Sequence, residues 1–346
     1  MGETMRAIVK CLAGKGLEMG EARIPAVGAN DVLVKVTATS ICGTDLHIYN
    51  WDPWAAGRIK PPVIVGHEFC GEVVERGSQV GTVNVGDFIS AESHIVCGVC
   101  DLCRTGNGHI CRNTSIIGVD RDGCWAEYVA IPAVNAWVNP RDFPVDYAVL
   151  EENLGNAVHT AFSVDLRAMK VLVTGCGPVG LMTIAVAKAI GARAIYATDI
   201  SPYRLDLAKQ VGADLVCNPK SDDVNVAIRD ATRGEGVDVL LEMSGAPSAI
   251  RQGFELLKFG GSAALLGLPP APFQFDFANL IIFKGVDVKG IVGRELWHSW
   301  FQMRGLLRSN AINLAPIVTH HFRLDEYDKA IAVMTSGESG KVVMIP

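Results

Sequence analysis

Lys170-Val-Leu-Val-Thr-Gly175-Cys-Gly177-Pro-Val-Gly180-Leu-Met-Thr-Ile-Ala-Val-Ala-Lys188 sets a β-branched run, three glycines and an alanine-rich apolar run end to end. A bare Gly-x-Gly-x-x-Gly says little. Between a strand and a helix it is the turn that receives a dinucleotide. Gly175 permits the tight turn, Gly177 lets the backbone approach a pyrophosphate, and Gly180 lets helix and strand close up. The helix behind them offers free N–H groups and the positive end of its dipole to phosphate.

Downstream the same punctuation repeats. Arg193-Ala-Ile-Tyr-Ala-Thr-Asp199 reads as a second strand ending in an acid. A carboxylate there accepts the adenosine ribose hydroxyls and repels a 2′-phosphate, which favours NAD over NADP. Ser201-Pro202 caps and opens a helix. Arg204 on its first turn is either a contact for the adenosine end or a solvated charge. Strands Asp238–Glu242, Gly261–Leu266 and Val286–Ile291 follow, each running into Gly or Ser. Strands alternating with helices predict an α/β fold, a Rossmann doubly wound parallel sheet. Ligands lie outside the carboxyl ends of such strands, which places Leu266-Gly267-Leu268 and Ile291-Val292 on the nicotinamide side.

Upstream the periodicity changes. Residues 5–12 and 31–39 alternate apolar and polar, and read as antiparallel strands. Similar short strands recur to about residue 140, a mostly β body. Residues 145–167 turn helical and mark the crossing between domains. After Arg294 come a Trp-bearing helix (Glu295–Ser309), His320-His321-Phe322, a helix near Asp325–Met334 and a last strand Lys341–Ile345.

Two stretches carry metal chemistry. Cys97-Gly-Val-Cys100-Asp-Leu-Cys103, with Cys111 beyond it, puts four thiols in one loop. Four thiolates close a tetrahedron around one Zn²⁺ and leave no position for substrate, which makes this a structural site. The second stretch, Ser40-Ile-Cys42-Gly-Thr44-Asp-Leu-His47 with Gly66-His67-Glu68, supplies a thiolate, an imidazole and a carboxylate. That set leaves a coordination position open. Alone, Cys42 or His67 reads as a packed core residue; together with Gly-His-Glu they read as ligands. Thr44 and His47 stand one helical turn apart, a route for a proton through the cofactor ribose to an imidazole and on to solvent.

Bulk properties exclude other classes. With 346 residues the chain has room for two domains, and a net charge of −6 offers no basic face to nucleic acid. No basic-then-apolar leader opens the sequence, Arg6 breaks the myristoylation pattern, and no apolar run is long enough to span a membrane. Ten cysteines without a leader point to metal and thiol chemistry in the cytoplasm. Cys11, Cys70, Cys124, Cys176 and Cys217 are left as packing residues.

Gly66-His-Glu-Phe-Cys-Gly71 followed by Gly77, Val80 and Gly86-Asp87 resembles the signature of zinc-containing alcohol dehydrogenases, the medium-chain dehydrogenase/reductase superfamily. Across the whole chain, Ile41–Trp54, Gly155–Thr160, Glu242–Pro247, Phe283-Lys-Gly and Gly293-Arg-Glu295 resemble its threonine 3-dehydrogenase branch. The resemblance implies a discontinuous GroES-like catalytic domain (residues 1–154 and 295–346) around a Rossmann NAD-binding domain (155–294). It also implies a homotetramer with one catalytic and one structural zinc per subunit, and oxidation of the 3-hydroxyl of L-threonine to 2-amino-3-oxobutanoate. By matching positions, Cys42, His67 and Glu68 hold the catalytic zinc, Glu152 approaches it, and Thr44 and His47 form the relay. Val179, Asp199, Arg204, Leu266–Leu268, Ile291 and Val292 touch the cofactor. Arg294 lies outside this matched set and is a candidate partner for the substrate carboxylate. A polyol or secondary-alcohol dehydrogenase with the same metal and NAD is the alternative; a non-enzymatic member of the fold has no use for an open metal site.

Overall fold

A computed structural model describes residues 3–346; Met1 and Gly2, on which the myristoylation reading partly rests, lie outside the described residues. The chain divides into two compact units. One holds Met1–Glu152, Val318–Ser336 and Lys341–Pro346, the other Asn153–Ile317 and Gly337–Gly340.

In the second unit six strands form one parallel sheet, in the order Leu215–Cys217, Ala194–Thr198, Lys170–Thr174, Val237–Glu242, Leu257–Leu265, Asp287–Gly290. The strand order reverses direction at Lys170–Thr174, the strand that opens the unit. Its five residues are all buried because helices cover both faces of a parallel sheet. The following helix, Pro178–Ala189, is buried from Gly180 to Ala187. It sits so close to its strand that a Cβ on Gly180 would lie 1.9 Å from the Gly175 carbonyl oxygen. Any side chain at residue 180 forces the helix off the sheet.

The first unit is mostly β. Its larger sheet runs Ala136–Asn139, Phe88–Ala91, Phe69–Arg76, Asp31–Ser40, Lys341–Ile345, Val318–Arg323, with Tyr128–Pro132 also paired to Asp31–Ser40. Glu18–Arg23, Thr4–Lys10 and Val63–Ile64 form a second sheet. Of residues 5–12 only those up to Lys10 are strand, in Thr4–Lys10, and residues 31–39 lie in Asp31–Ser40; the two strands belong to different sheets and do not pair with each other. The core between the layers is built on Trp125, Phe69, Ile41, Ile89 and Ile131. Among the described residues no helix is long and apolar enough to cross a membrane.

The return to the first unit comes later than the sequence suggested. It falls after Ile317, not at residue 295. The turn Ala315–Ile317 packs on the helices Pro178–Ala189 and Pro202–Gln210, and Ile312, Leu314 and Ile317 are buried. Apolar anchoring therefore keeps the Trp-bearing helix, His298–Arg308, with the second unit.

Candidate functional site

Sheet register assembles the first cluster. Strand Asp31–Ser40 runs antiparallel to Phe69–Arg76 with Thr39 opposite Phe69, so one strand ends where the other begins. Cys42, just past the first, therefore meets His67-Glu68, just before the second. Ser40 N donates to the Glu68 carbonyl at 3.0 Å, and Thr39 Oγ1 does so at 2.8 Å. Gly66 turns the chain into this segment at φ 88°, where a Cβ would fall 2.0 Å from the Trp125 ring. Only glycine fits there.

The ligand atoms of Cys42, His67 and Glu68 all lie within 4.8 Å of one another. His67 Nδ1 and Glu68 Oε1 are buried without a hydrogen-bond partner, as is Asp45 Oδ1, which stands 3.7 Å from His67 Nδ1. Burial by itself disfavours a charged imidazole at His67. Asp45, Cys42 and Glu152 outweigh it and push His67 up to about 10. Anionic surroundings, an unsatisfied buried Glu68 oxygen and an S/N/O set fit a divalent cation, and zinc best.

Asp45 escaped the sequence reading. It is the N3 residue of the helix Gly43–Asn50, its Oδ2 accepts from Cys42 N at 2.8 Å, and only 1% of it is exposed. An acid three residues after a helix start was its signal. Burial pushes its carboxyl up to about 6, against His67 and the Cys42 N–H. Lys341 also went unseen: buried in the last strand, it forms an ion pair with Glu68 Oε2, which Ser40 Oγ bonds as well. Lys341 and His67 hold the Glu68 carboxyl below the usual range against the push of burial.

Thr44 and His47 both lie on the helix Gly43–Asn50. Thr44 Oγ1 is 3.9 Å from Cys42 Sγ, and the exposed His47 ring reaches the Asp52 carboxylate through Nδ1. Glu151 and Glu152, at the start of helix Glu151–Phe162, are buried: 1% and 3% of them reach solvent. Glu152 Oε1 accepts from Ser93 Oγ at 2.5 Å, and its charge acts on both His67 and Lys341. It lies outside the three-residue cluster. Glu151 Oε2 accepts from Asn139 Nδ2 at 2.6 Å instead.

The four cysteines form the second cluster. Sγ of Cys97 is 3.5 Å from Cys111 and 4.0 Å from Cys103, and Cys100 is 3.9 Å from Cys111. A ZnS₄ tetrahedron with Zn–S of about 2.3 Å has S···S edges of about 3.8 Å. The sulfurs are already at that spacing. The N–H groups of Val99 and Cys100 bring Cys97 down to about 6, ready to ligate as thiolate.

In the second unit, Gly175, Gly177, Asp199 and Arg204 line one cavity of about 670 Å³, with Ile200, Lys220 and Ser244. Asp199 ties that cavity together, accepting from Cys176 N at 2.7 Å and Ser201 N at 2.8 Å. Arg204 Nε donates to the Ser339 carbonyl at 3.1 Å. Val179 and Gly180 stand in the first turn of the next helix. Leu266–Leu268 and Ile291–Val292 follow the last two strands and are linked by the bond from Ile291 N to Leu265 O, 2.9 Å. Leu268 is exposed and Ile291 buried. Arg294 is 2% exposed, packed on Gly155 with Nη1 3.4 Å from Asn156 Oδ1. That burial argues for a packing role and against the expected contact with a substrate carboxylate.

The alcohol dehydrogenase GroES-like domain family matches residues 28–141, and the zinc-binding dehydrogenase family residues 178–309. The chain is 52% identical to the L-threonine 3-dehydrogenase of Symbiobacterium thermophilum, covering 100% of this chain and 99% of that one. With the L-threonine 3-dehydrogenase of Pyrococcus horikoshii it shares 51% identity over the same fractions. Among solved structures, a zinc-binding dehydrogenase of Sinorhizobium meliloti bound to NADP superposes at TM-score 0.91 and 31% identity, covering 99% and 100% of the two chains. An alcohol dehydrogenase of E. coli complexed with NADH does so at 0.90 and 26%, covering 100% of both.

Proposed function

From its membership of the zinc-containing alcohol dehydrogenase family, we propose that this chain oxidises the 3-hydroxyl of L-threonine to 2-amino-3-oxobutanoate with NAD. The observation that carries the reading is the convergence of Cys42, His67 and Glu68 ligand atoms within 4.8 Å, in a chain half identical from end to end to L-threonine 3-dehydrogenases.

Cys42, His67 and Glu68 hold the catalytic ion, with Asp45 against the His67 Nδ1 edge and Lys341 against Glu68. Zinc held there would supply a Lewis acid that lowers the pKa of an alcohol hydroxyl, and NAD would supply the hydride acceptor. Thr44 Oγ1 takes the hydroxyl proton and the His47 imidazole delivers it to solvent. Glu152, bonded to Ser93, adds negative charge that stabilises the cation. Gly175 and Gly177 bring backbone to the pyrophosphate at the start of helix Pro178–Ala189, with Val179 and Gly180 behind them. Asp199 accepts the adenosine ribose hydroxyls, Arg204 flanks it, and Leu266–Leu268 with Ile291–Val292 face the nicotinamide end. Cys97, Cys100, Cys103 and Cys111 close around a structural zinc.

The working assembly is a homotetramer in the cytoplasm. Supporting it are the exposed edge strand Asp287–Gly290 and the exposed apolar side chains of Phe277, Ile282 and Phe283, surface that single subunits rarely leave to water. Clustered free thiols support a reducing compartment. Full-length relatives near half identity disfavour the polyol and secondary-alcohol alternative. Initial rates of NADH formation with L-threonine, sorbitol and 2,3-butanediol test the assignment; absent turnover of L-threonine refutes it.

A further inference from the structure

We propose that Asp52 is a positioning residue for the proton exit: its carboxylate fixes the ring orientation and tautomer of His47, so that Nε2 is the nitrogen left to exchange the proton. The inference deepens the reading of Thr44 and His47 as a relay and rests on it.

His47 belongs to the last turn of helix Gly43–Asn50, and Asp52 is the N-cap of the next helix, Pro53–Arg58. Between them Trp51 takes a left-handed conformation at φ 56°, with its N–H on the Ile48 carbonyl at 3.3 Å; the Asp52 N–H reaches the His47 carbonyl at 3.4 Å. That tight corner folds Asp52 back beside His47. One carboxylate oxygen, Oδ1, accepts from Ala55 N at 3.0 Å, and the other, Oδ2, takes the His47 Nδ1 bond. The oxygens have divided the work.

Trp54 closes the arrangement. Its ring meets the imidazole edge-on, centroids 5.9 Å apart and planes at 61°, so two neighbours fix a side chain that is 57% exposed. Burial pushes the Asp52 carboxyl up, but the N–H groups of Ala55 and Trp54 and the His47 ring outweigh it and hold the group below the usual range. An ionised acceptor makes Nδ1 the donor, which leaves the lone pair on Nε2. An exposed imidazole without such a partner samples both tautomers and several rotamers, and a relay through it is correspondingly slow.

A helix cap alone would also explain an aspartate here. Asp52→Asn separates the two roles, since asparagine caps as well as aspartate but brings no charge to the imidazole. The zinc-loaded enzyme is compared in four forms: wild type, Asp52→Asn, His47→Asn and the double variant. Thermal midpoints show that each is folded. Expected is a kcat for L-threonine oxidation about tenfold lower in Asp52→Asn, the lower end of what an orienting partner is worth. KM for L-threonine stays unchanged, and the pH at half-maximal kcat moves down. In the His47→Asn background Asp52→Asn changes nothing further, because its effect passes through His47. A wild-type kcat in Asp52→Asn, or an equal loss in both backgrounds, overturns the proposal. A fully active His47→Asn sinks the relay itself and the proposal with it, a result distinct from the other two.

Discussion

Lys341 and Glu68 form an ion pair in the interior of the first unit, with 1% and 0% of their side chains exposed. Strand Asp31–Ser40 lies between the strand that carries Lys341 and the one that Glu68 precedes. A carboxylate so deeply buried needs a cation, and zinc and lysine are the two available. Lys341→Met should therefore destabilise the zinc-stripped chain by about 3–5 kcal/mol, and the zinc-loaded chain by less. Urea midpoints with and without metal measure the difference.

Glu151 sets a pH dependence of opposite sign from most acids. Burial raises it from 4.5 to about 7, and its bonds with Ser90 and Asn139 only partly offset this. The folded state then binds the proton more tightly than the unfolded one, so this group's contribution is fully present below about pH 4.5 and is lost as pH rises through about 7. Glu151→Gln should be the more stable protein at pH 8.5 and show little advantage at pH 4.5. Denaturant titrations at the two pH values test this.

Asp199 should decide the cofactor. Asp199→Ala removes an ionic acceptor whose bonds are worth about 1.5–3 kcal/mol, so KM for NAD should rise roughly 10- to 100-fold while activity with NADP rises relative to it. Steady-state kinetics with the two cofactors check the outcome.

Cys100→Ser should cost the structural ion without touching the catalytic one. Metal analysis is expected to find one zinc fewer per chain, and limited proteolysis faster cutting between Ile95 and Ser115, because binding energy at a closed thiolate site is folding energy.

What could be read from the sequence was local. The cysteine spacing, the Gly-Pro-Val-Gly turn and Gly66-His67-Glu68 each lie within a few residues, where spacing alone fixes geometry. Lys341 was illegible because its partner is distant in the chain and meets it only through sheet pairing. The burial of Glu151 and Glu152 was not legible, since nothing near them in sequence announced Asn139 or Ser93. The late return at Ile317 depended on Leu314 and Ile317 finding an apolar surface, which periodicity does not reveal. Asp45 was the avoidable miss, for its place in the first helical turn after Cys42 was in plain view.

The most direct measurement is zinc content and initial rate on the same purified samples of wild type and Cys42→Ser, with L-threonine and NAD. The account predicts one ion at each cluster in the wild type. In Cys42→Ser it predicts loss of the open-site ion only, with turnover reduced more than about a hundredfold. A Cys42→Ser protein that kept both ions and full L-threonine turnover would contradict it.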